Sequence, residues 1–389
     1  MDKPATRRIR LIAAMGLGFL FGWLAASPTA ADLISRLDPN MAVRDPGGEW
    51  LWHDAAALRV EGKGWADTEK PWHRLPARAN GVVRDPVWRL STHSAGICAG
   101  FTTNARKIGA RWTVSSDSLA MPHMPATGVS GLDLYVKING AWHWLANGRP
   151  TAQTTQALLA DNIPEGTHEY LLYLPLYNGV DKLEIGVPPE ADIAPLPARP
   201  EGMEKPMVFY GTSITQGGCA SRPGMAHTAI LGRRLDRPVI NLGFSGNGTM
   251  DPEIGALLAE LDAAVYVIDC AANMTPEMIT ERAEPFLRAL RGARPTTPIV
   301  LVECTAHQAG AFLPHARAGH LEKSAAVRAA YERLVADGFP GITLIAGEPL
   351  LGNDGEATVD GGHPTDLGFV RMADAFEPVL RDALKDHAK

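Results

Sequence analysis

A chain of 389 residues with 46% hydrophobic and 21% charged side chains has room for two domains and a sizeable core, which excludes bulk disorder. Its formal charge of −6 argues against a nucleic-acid partner, because phosphate binding depends on clustered Lys and Arg. Four cysteines are too few for a disulfide scaffold, and no pair of them has metal-ligand spacing.

Lys3, Arg7, Arg8 and Arg10 precede the apolar stretch LIAAMGLGFLFGWLAA, and the small-residue run SPTAAD follows it. This is the layout of a secretory signal cleaved near Ala30 or Ala31, so residues 1–31 are expected to be a signal peptide. The mature protein is then periplasmic or secreted, with no stable membrane association after cleavage. The alternative is an uncleaved inner-membrane anchor, but the apolar run falls short of the ~20 residues a spanning helix needs. Export would permit disulfides. Three of Cys98, Cys219, Cys270 and Cys304 nevertheless lie in or beside apolar runs, so buried free thiols are expected.

Residues 32–187 read as short strands. KIGARWTV places Ile108, Ala110, Trp112 and Val114 on one face; LDLYVKI sets Leu132, Leu134, Val136 and Ile138 against Asp133, Tyr135 and Lys137. EYLLYLPLY and KLEIGV behave alike, and Asn-Gly pairs at 139–140, 147–148 and 178–179 read as turns. Period-2 alternation with one face in and one face out predicts an antiparallel β-sandwich. Trp142 and Trp144, near His143, are expected to pack on a sandwich face or a domain interface, with sugar stacking as the alternative.

VPPEADIAPLPARPEGMEKP then carries six prolines, which marks residues 188–206 as a linker. In residues 207–389 the apolar runs MVFYG, PVINLGF, AVYVIDC, PIVLVEC and ITLIAG recur between helical stretches. DPEIGALLAEL opens with Asp251 as N-cap and Pro252 at the first helical position, and TPEMITER repeats this with Thr275 and Pro276. Continuous apolar strands alternating with helices predict a parallel sheet covered on both faces. In such sheets ligands bind at the C-terminal strand ends.

Ser213 follows the first of these strands, SGNG with Gly246 the second, and AANMTP with Asn273 the third. Asp360 and His363 lie beyond the last strand, in DGGHPTDLGF. Together they point to acyl transfer. A serine hydroxyl attacks only when a base takes its proton, and His363 is the candidate base. Asp360 can fix the imidazole's tautomer and stabilise its cation. The backbone N–H groups of Ser213 and Gly246 and the Asn273 amide would form an oxyanion hole. Ser245 is the rival serine; it is expected to lack an apolar strand ending one turn before it.

The blocks GTSITQGG, NLGFSGNG, CAANM and DGGHPTDLG resemble the SGNH (GDSL-like) hydrolase superfamily, and GLDLY at 131–135 resembles the GxDLY signature of a subgroup with a β-sandwich in front. The resemblance implies a flavodoxin-like three-layer α/β/α domain with five parallel strands, preceded by an antiparallel, jelly-roll-like sandwich. It also implies Ser213, Asp360 and His363 as catalytic residues, Ser213, Gly246 and Asn273 as oxyanion donors, no metal and no organic cofactor. GTSI stands where the family has GDSL, and Met274 follows Asn273 where Asp is usual.

The glycines of QGG and SGNG carry no Walker or GxGxxG pattern, and His307, His315 and His320 match no zinc spacing. Arg222 is expected to be structural. The sequons at Asn247 and Asn273 are read as chance. The expected function is an exported esterase acting on small O-acyl, chiefly O-acetyl, groups of a small-molecule or glycan ester. The alternatives are a lipid or thioester acyl hydrolase, or a non-catalytic glycan- or envelope-binding protein on the same fold.

Overall fold

The alternating segments of the N-terminal half form β1 (Val43–Arg44), β2 (Leu51–Asp54), β3 (Arg59–Glu61), β4 (Cys98–Thr103), β5 (Ile108–Val114), β6 (Leu132–Ile138), β7 (Ala141–Gly148), β8 (Thr154–Ala160), β9 (His168–Tyr173), β10 (Val180–Val187) and β11 (Ile193–Pro195). They were traced in a computed structural model that describes Leu37 and residues 41–385. The expected signal peptide lies outside the described residues. Among those residues no helix is long and apolar enough to cross a membrane.

One antiparallel sheet runs β1-β2-β10-β5-β8 and the other β11-β4-β9-β6-β7, with β3 also paired to β4. Between them lies a core that includes Phe101, Leu132, Leu134, Tyr170 and Leu172 from one sheet and Ala110, Trp112, Leu183 and Ile185 from the other. β11 falls inside the proline-rich stretch and extends the second sheet, pairing Ile193 with Thr103.

The alternation in β6 has a different outcome from the one expected. Asp133 and Tyr135, on the face opposite Leu132 and Leu134, are also buried. That face does not meet water; it packs, with Cys98, Leu171 and Tyr173, against Ala229 of the C-terminal half. Of the three Asn-Gly pairs, only Asn139-Gly140 is a hairpin turn, with φ of +51° and +81° between β6 and β7. Asn147-Gly148 is the end of β7 itself, and Asn178 is a buried loop residue whose side-chain amide donates to Ser116 O and Ser130 Oγ.

The C-terminal half adds β12 (Met207–Gly211), β13 (Val239–Gly243), β14 (Val265–Asp269), β15 (Ile299–Val302) and β16 (Ile342–Ile345) as a parallel sheet in the order β13-β12-β14-β15-β16. The helices are α1 (Asp85–Ser91) and α2 (Ala126–Val129), which precede this half, then α3 (Ser213–Gln216), α4 (His227–Arg234), α5 (Pro252–Glu260), α6 (Pro276–Ala293), α7 (Pro314–Ala336) and α8 (Asp366–Ala383). Met207 and Phe209 face one layer with Leu231, Phe369 and Phe376. Val208 and Tyr210 face the other, with Leu258, Phe286 and Leu334. This is why β12 reads as unbroken apolar sequence. The N-terminal half also reaches into this second layer, through Trp65, Leu75, Val83 and Val87.

The helix starts follow the sequence with one exception. Thr275 accepts from Met278 N as a cap, whereas the Asp251 carboxylate makes no cap bond and pairs with Arg84 and Arg282 instead.

Chain order reverses between β12 and β14, and β14 ends there on a buried carboxyl. Burial pushes the Asp269 pKa up to about 7, against the pull of one weak contact from Thr215 Oγ1 at 3.3 Å. A folded-state pKa above the unfolded one supplies stability that is present below pH ~4 and lost as pH rises to about 7. Asp269→Asn, which cannot ionise, should therefore raise stability more at pH 8 than at pH 4, by a difference on the order of 2–4 kcal/mol. Thermal unfolding at the two pH values reads it, and an equal shift at both would contradict a carboxyl held this way.

Candidate active site

β12 delivers Ser213 through a tight corner. Gly211 ends the strand where a Cβ would come within 2.1 Å of Thr215 Oγ1 and 2.5 Å of Asp269 O, so no side chain fits. Thr212 then caps α3, accepting from Ile214 N, and Gly217 closes the single turn at φ +111°. Ser213 occupies the first helical position, where its N–H has no partner within the helix.

The DGGH turn meets it from the opposite side of the cleft. Ser213 Oγ lies 2.8 Å from His363 Nε2, and His363 Nδ1 lies 2.7 Å from Asp360 Oδ2. A carboxylate only accepts, so Nδ1 carries the proton and Nε2 accepts from the serine hydroxyl. The three-residue spacing works because Gly361, at φ +91°, folds the chain back on itself. Asp360 Oδ1 takes the amides of His363 at 2.8 Å and Gly362 at 3.1 Å. Partial burial alone would raise the Asp360 pKa, but these donors and the imidazole outweigh it and hold the acid down at about 2. The carboxylate is thus ionised at every pH at which the fold would be assayed.

Gly246 sits in the turn after β13 at φ +69°, and a Cβ there would meet nothing within 4 Å. The positive φ is what favours glycine here. Its N–H has no acceptor among the described residues. Asn273 ends the short turn after β14; its Oδ1 accepts from Gly248 N at 3.2 Å, which leaves Nδ2 free to donate. The Gly246 turn is therefore tied directly to Asn273, and Arg84 anchors it through Asn247.

Ser213, Asn273 and His363 share a cavity of about 340 Å³ with Thr305, His307, His315, His320 and Lys323. Gly246 and Asp360 are not part of that lining.

Ser245 does follow a strand, since β13 ends at Gly243, which corrects the expectation. It faces Tyr177 and Gln216 Oε1 rather than an imidazole. The four cysteines are free and buried. Burial, with the charge of Asp360 adding to it, pushes the Cys219 thiol up to about 12, so no thiolate competes with Ser213. Among the described residues no cluster of His, Cys, Asp and Glu could hold a metal ion.

Several residues at the site carry no signal in the sequence. His123, from a sandwich loop, brings its ring centroid to 5.9 Å from that of His363. Tyr177 donates to Ser213 O at 3.1 Å, and Gln216 Oε1 accepts from Ser245 N at 3.0 Å, next to Gly246. His307, His315 and His320 were singled out only to reject a zinc site. Arg222 and the two tryptophans belong to the interface between the halves: Arg222 pairs with Asp133 at 2.7 Å, with its guanidinium 5.2 Å from the Trp144 ring centroid, and Trp142 packs on the cluster around Tyr135 and Ala229.

Residues 204–381 match the model of the GDSL-like lipase/acylhydrolase family, and residues 50–193 match that of the N-terminus of SGNH-hydrolase-type esterases. A GDSL-like lipase from Bacteroides ovatus is 37% identical, covering 86% of this chain and 98% of its own, with a TM-score of 0.82. This chain belongs to the GDSL-like family of SGNH hydrolases.

More distant SGNH-fold structures include the salicylyl-acyltransferase SsfX3 of a tetracycline biosynthetic pathway, at 18% identity and TM-score 0.67, covering 84% of this chain and 94% of its own. A family two carbohydrate esterase from Clostridium thermocellum stands at 14% and 0.52, covering 75% and 93%. At these identities they share the fold. Comparison with curated proteins gave no match.

For this SGNH hydrolase, Asn273→Ala should lower kcat on 4-nitrophenyl acetate by ~10²–10³, the usual effect of removing one oxyanion donor. Asp360→Asn should cost on the order of 10²–10⁴ through loss of the correct tautomer. Losses below about threefold would contradict these placements.

Proposed function

We propose that this SGNH hydrolase is an exported serine esterase that removes small O-acyl groups, acetyl foremost, from carbohydrate. The observation that carries the reading is Ser213 Oγ at 2.8 Å from a His363 whose other nitrogen is held by Asp360. In the first half-reaction His363 Nε2 takes the serine proton as Oγ attacks the ester carbon. The oxyanion meets the N–H groups of Ser213 and Gly246 and the Asn273 amide. His363 returns the proton to the departing alcohol, leaving an acyl-serine. Water, deprotonated by the same imidazole, then releases the acid and restores the serine.

The walls of the cavity favour a short acyl group and a polar alcohol. Thr305, Lys323 and several imidazoles stand in them beside Ile214, Ala272 and Ala316. A long hydrocarbon chain there would bury polar groups without partners. The fold serves carbohydrate esterases and an acyltransferase alike, so it does not by itself fix the substrate class. The expected leader at residues 1–31 supports action on an envelope or extracellular glycan.

Hydrolysis of 4-nitrophenyl acetate, butyrate and octanoate by the mature enzyme and by Ser213→Ala tests this. The expected result is a rate that falls at least tenfold from acetate to octanoate and vanishes in the variant. A preference for octanoate would overturn the short-acyl reading, and equal rates in enzyme and variant would overturn the esterase.

A further inference from the structure

A second cavity of about 450 Å³ adjoins the first and shares His307 and His320 with it. Its size lies in the ~300–1,000 Å³ range of ligand pockets. We propose that this groove is the subsite for the alcohol half of the ester and takes a hydroxyl-rich ring, that is, a sugar residue. The proposal rests on the esterase reading and names the part of the substrate that reading leaves open.

The direction follows from the proton that the leaving oxygen needs. That proton comes from His363 Nε2, so the alcohol departs on the side of the DGGH turn, away from the oxyanion donors. The His307 imidazole lies against that turn, where a Cβ on Gly361 would come within 2.4 Å of its ring. Past His307 the cavity opens. An alcohol leaving from His363 therefore points into this groove.

The lining fits hydroxyl groups. His320 Nδ1 faces Ala316 O at 3.1 Å, and since a carbonyl only accepts, Nδ1 bears the proton and Nε2 is left as an acceptor. The exposed side chains of Arg317 and Asn353, which donate, and Glu348, which accepts, line the same groove. None of these three side chains has a hydrogen-bond or ion-pair partner among the described residues. Each sugar hydroxyl both donates and accepts, so a mixed set suits neighbouring hydroxyls. An alkyl chain would leave the set desolvated and unpaired.

Two readouts test the groove. In the Ser213→Ala background, calorimetric titration with a partially O-acetylated xylo-oligosaccharide should show Kd weakened at least tenfold by Arg317→Ala with Asn353→Ala, and again by Ala311→Trp, which fills the groove. In the active enzyme, the ratio of kcat/KM for that saccharide to kcat/KM for 4-nitrophenyl acetate should fall at least tenfold, mainly through KM. Unchanged Kd and unchanged ratio in both variants would overturn the proposal. So would Ala311→Trp suppressing hydrolysis of 4-nitrophenyl octanoate instead, which would make the groove an acyl site. A chain that hydrolyses no ester, yet binds the saccharide through these residues, would overturn the esterase reading and leave the groove standing.

Discussion

The carboxylate of Asp133 is fully buried between the two halves of the molecule, and the placement of the site depends on it. It accepts from Arg222 Nη1 at 2.7 Å, Gly224 N at 2.8 Å and Trp144 Nε1 at 2.9 Å. Burial pushes its pKa up, and the Arg222 charge and these donors pull against that. A buried charge persists only when it is paired and bonded in this way. The bonds continue beyond Arg222. Ser221, its neighbour, donates its amide and its hydroxyl to Asp366 at the start of α8, three residues after His363. One line of polar contacts thus joins a sandwich strand, the loop after Ser213 and the helix after His363.

A second buried charge does similar work on the side of Gly246. Among the described residues Arg74 has no carboxylate partner; its guanidinium donates to the carbonyls of Asn241, Gly243, Leu90 and His93. Burial lowers its pKa to about 9. The carbonyls of Asn241 and Gly243 belong to the end of β13, from which the Gly246 turn springs. The sandwich therefore braces both banks of the cleft, and His123 reaches the cleft itself. These contacts give physical content to the GxDLY block: its Asp and Tyr bind the catalytic half, while its Leu faces the sandwich core.

What could be read from the sequence was what is local. Ser213, Gly246 and Asn273 could be placed beyond strand ends because a parallel sheet announces its strands as unbroken apolar runs and its ligands sit just beyond them. Asp360 and His363 were legible because three residues and two glycines make a closed turn. Asp133 and Tyr135 were misjudged for the converse reason: alternation says that a strand has two different faces, and says nothing of what covers the second. Asp251 looked like a cap because the residues after it permit one, yet Arg84, far away in the chain, took its carboxylate. His123 and Tyr177 gave no sign at all, and His307 and His320 drew notice only against a zinc site. Each belongs to the site by tertiary proximity alone, which spacing in a single sequence does not encode.

The central claim is that Ser213, activated by His363, is the residue that bonds to the acyl carbon. Peptide mapping by mass spectrometry after treatment with a fluorophosphonate tests it most directly. The account predicts a single adduct on the peptide carrying Ser213, lost in Ser213→Ala and strongly slowed in His363→Ala. An adduct on Ser245, or none on correctly folded protein, would contradict it.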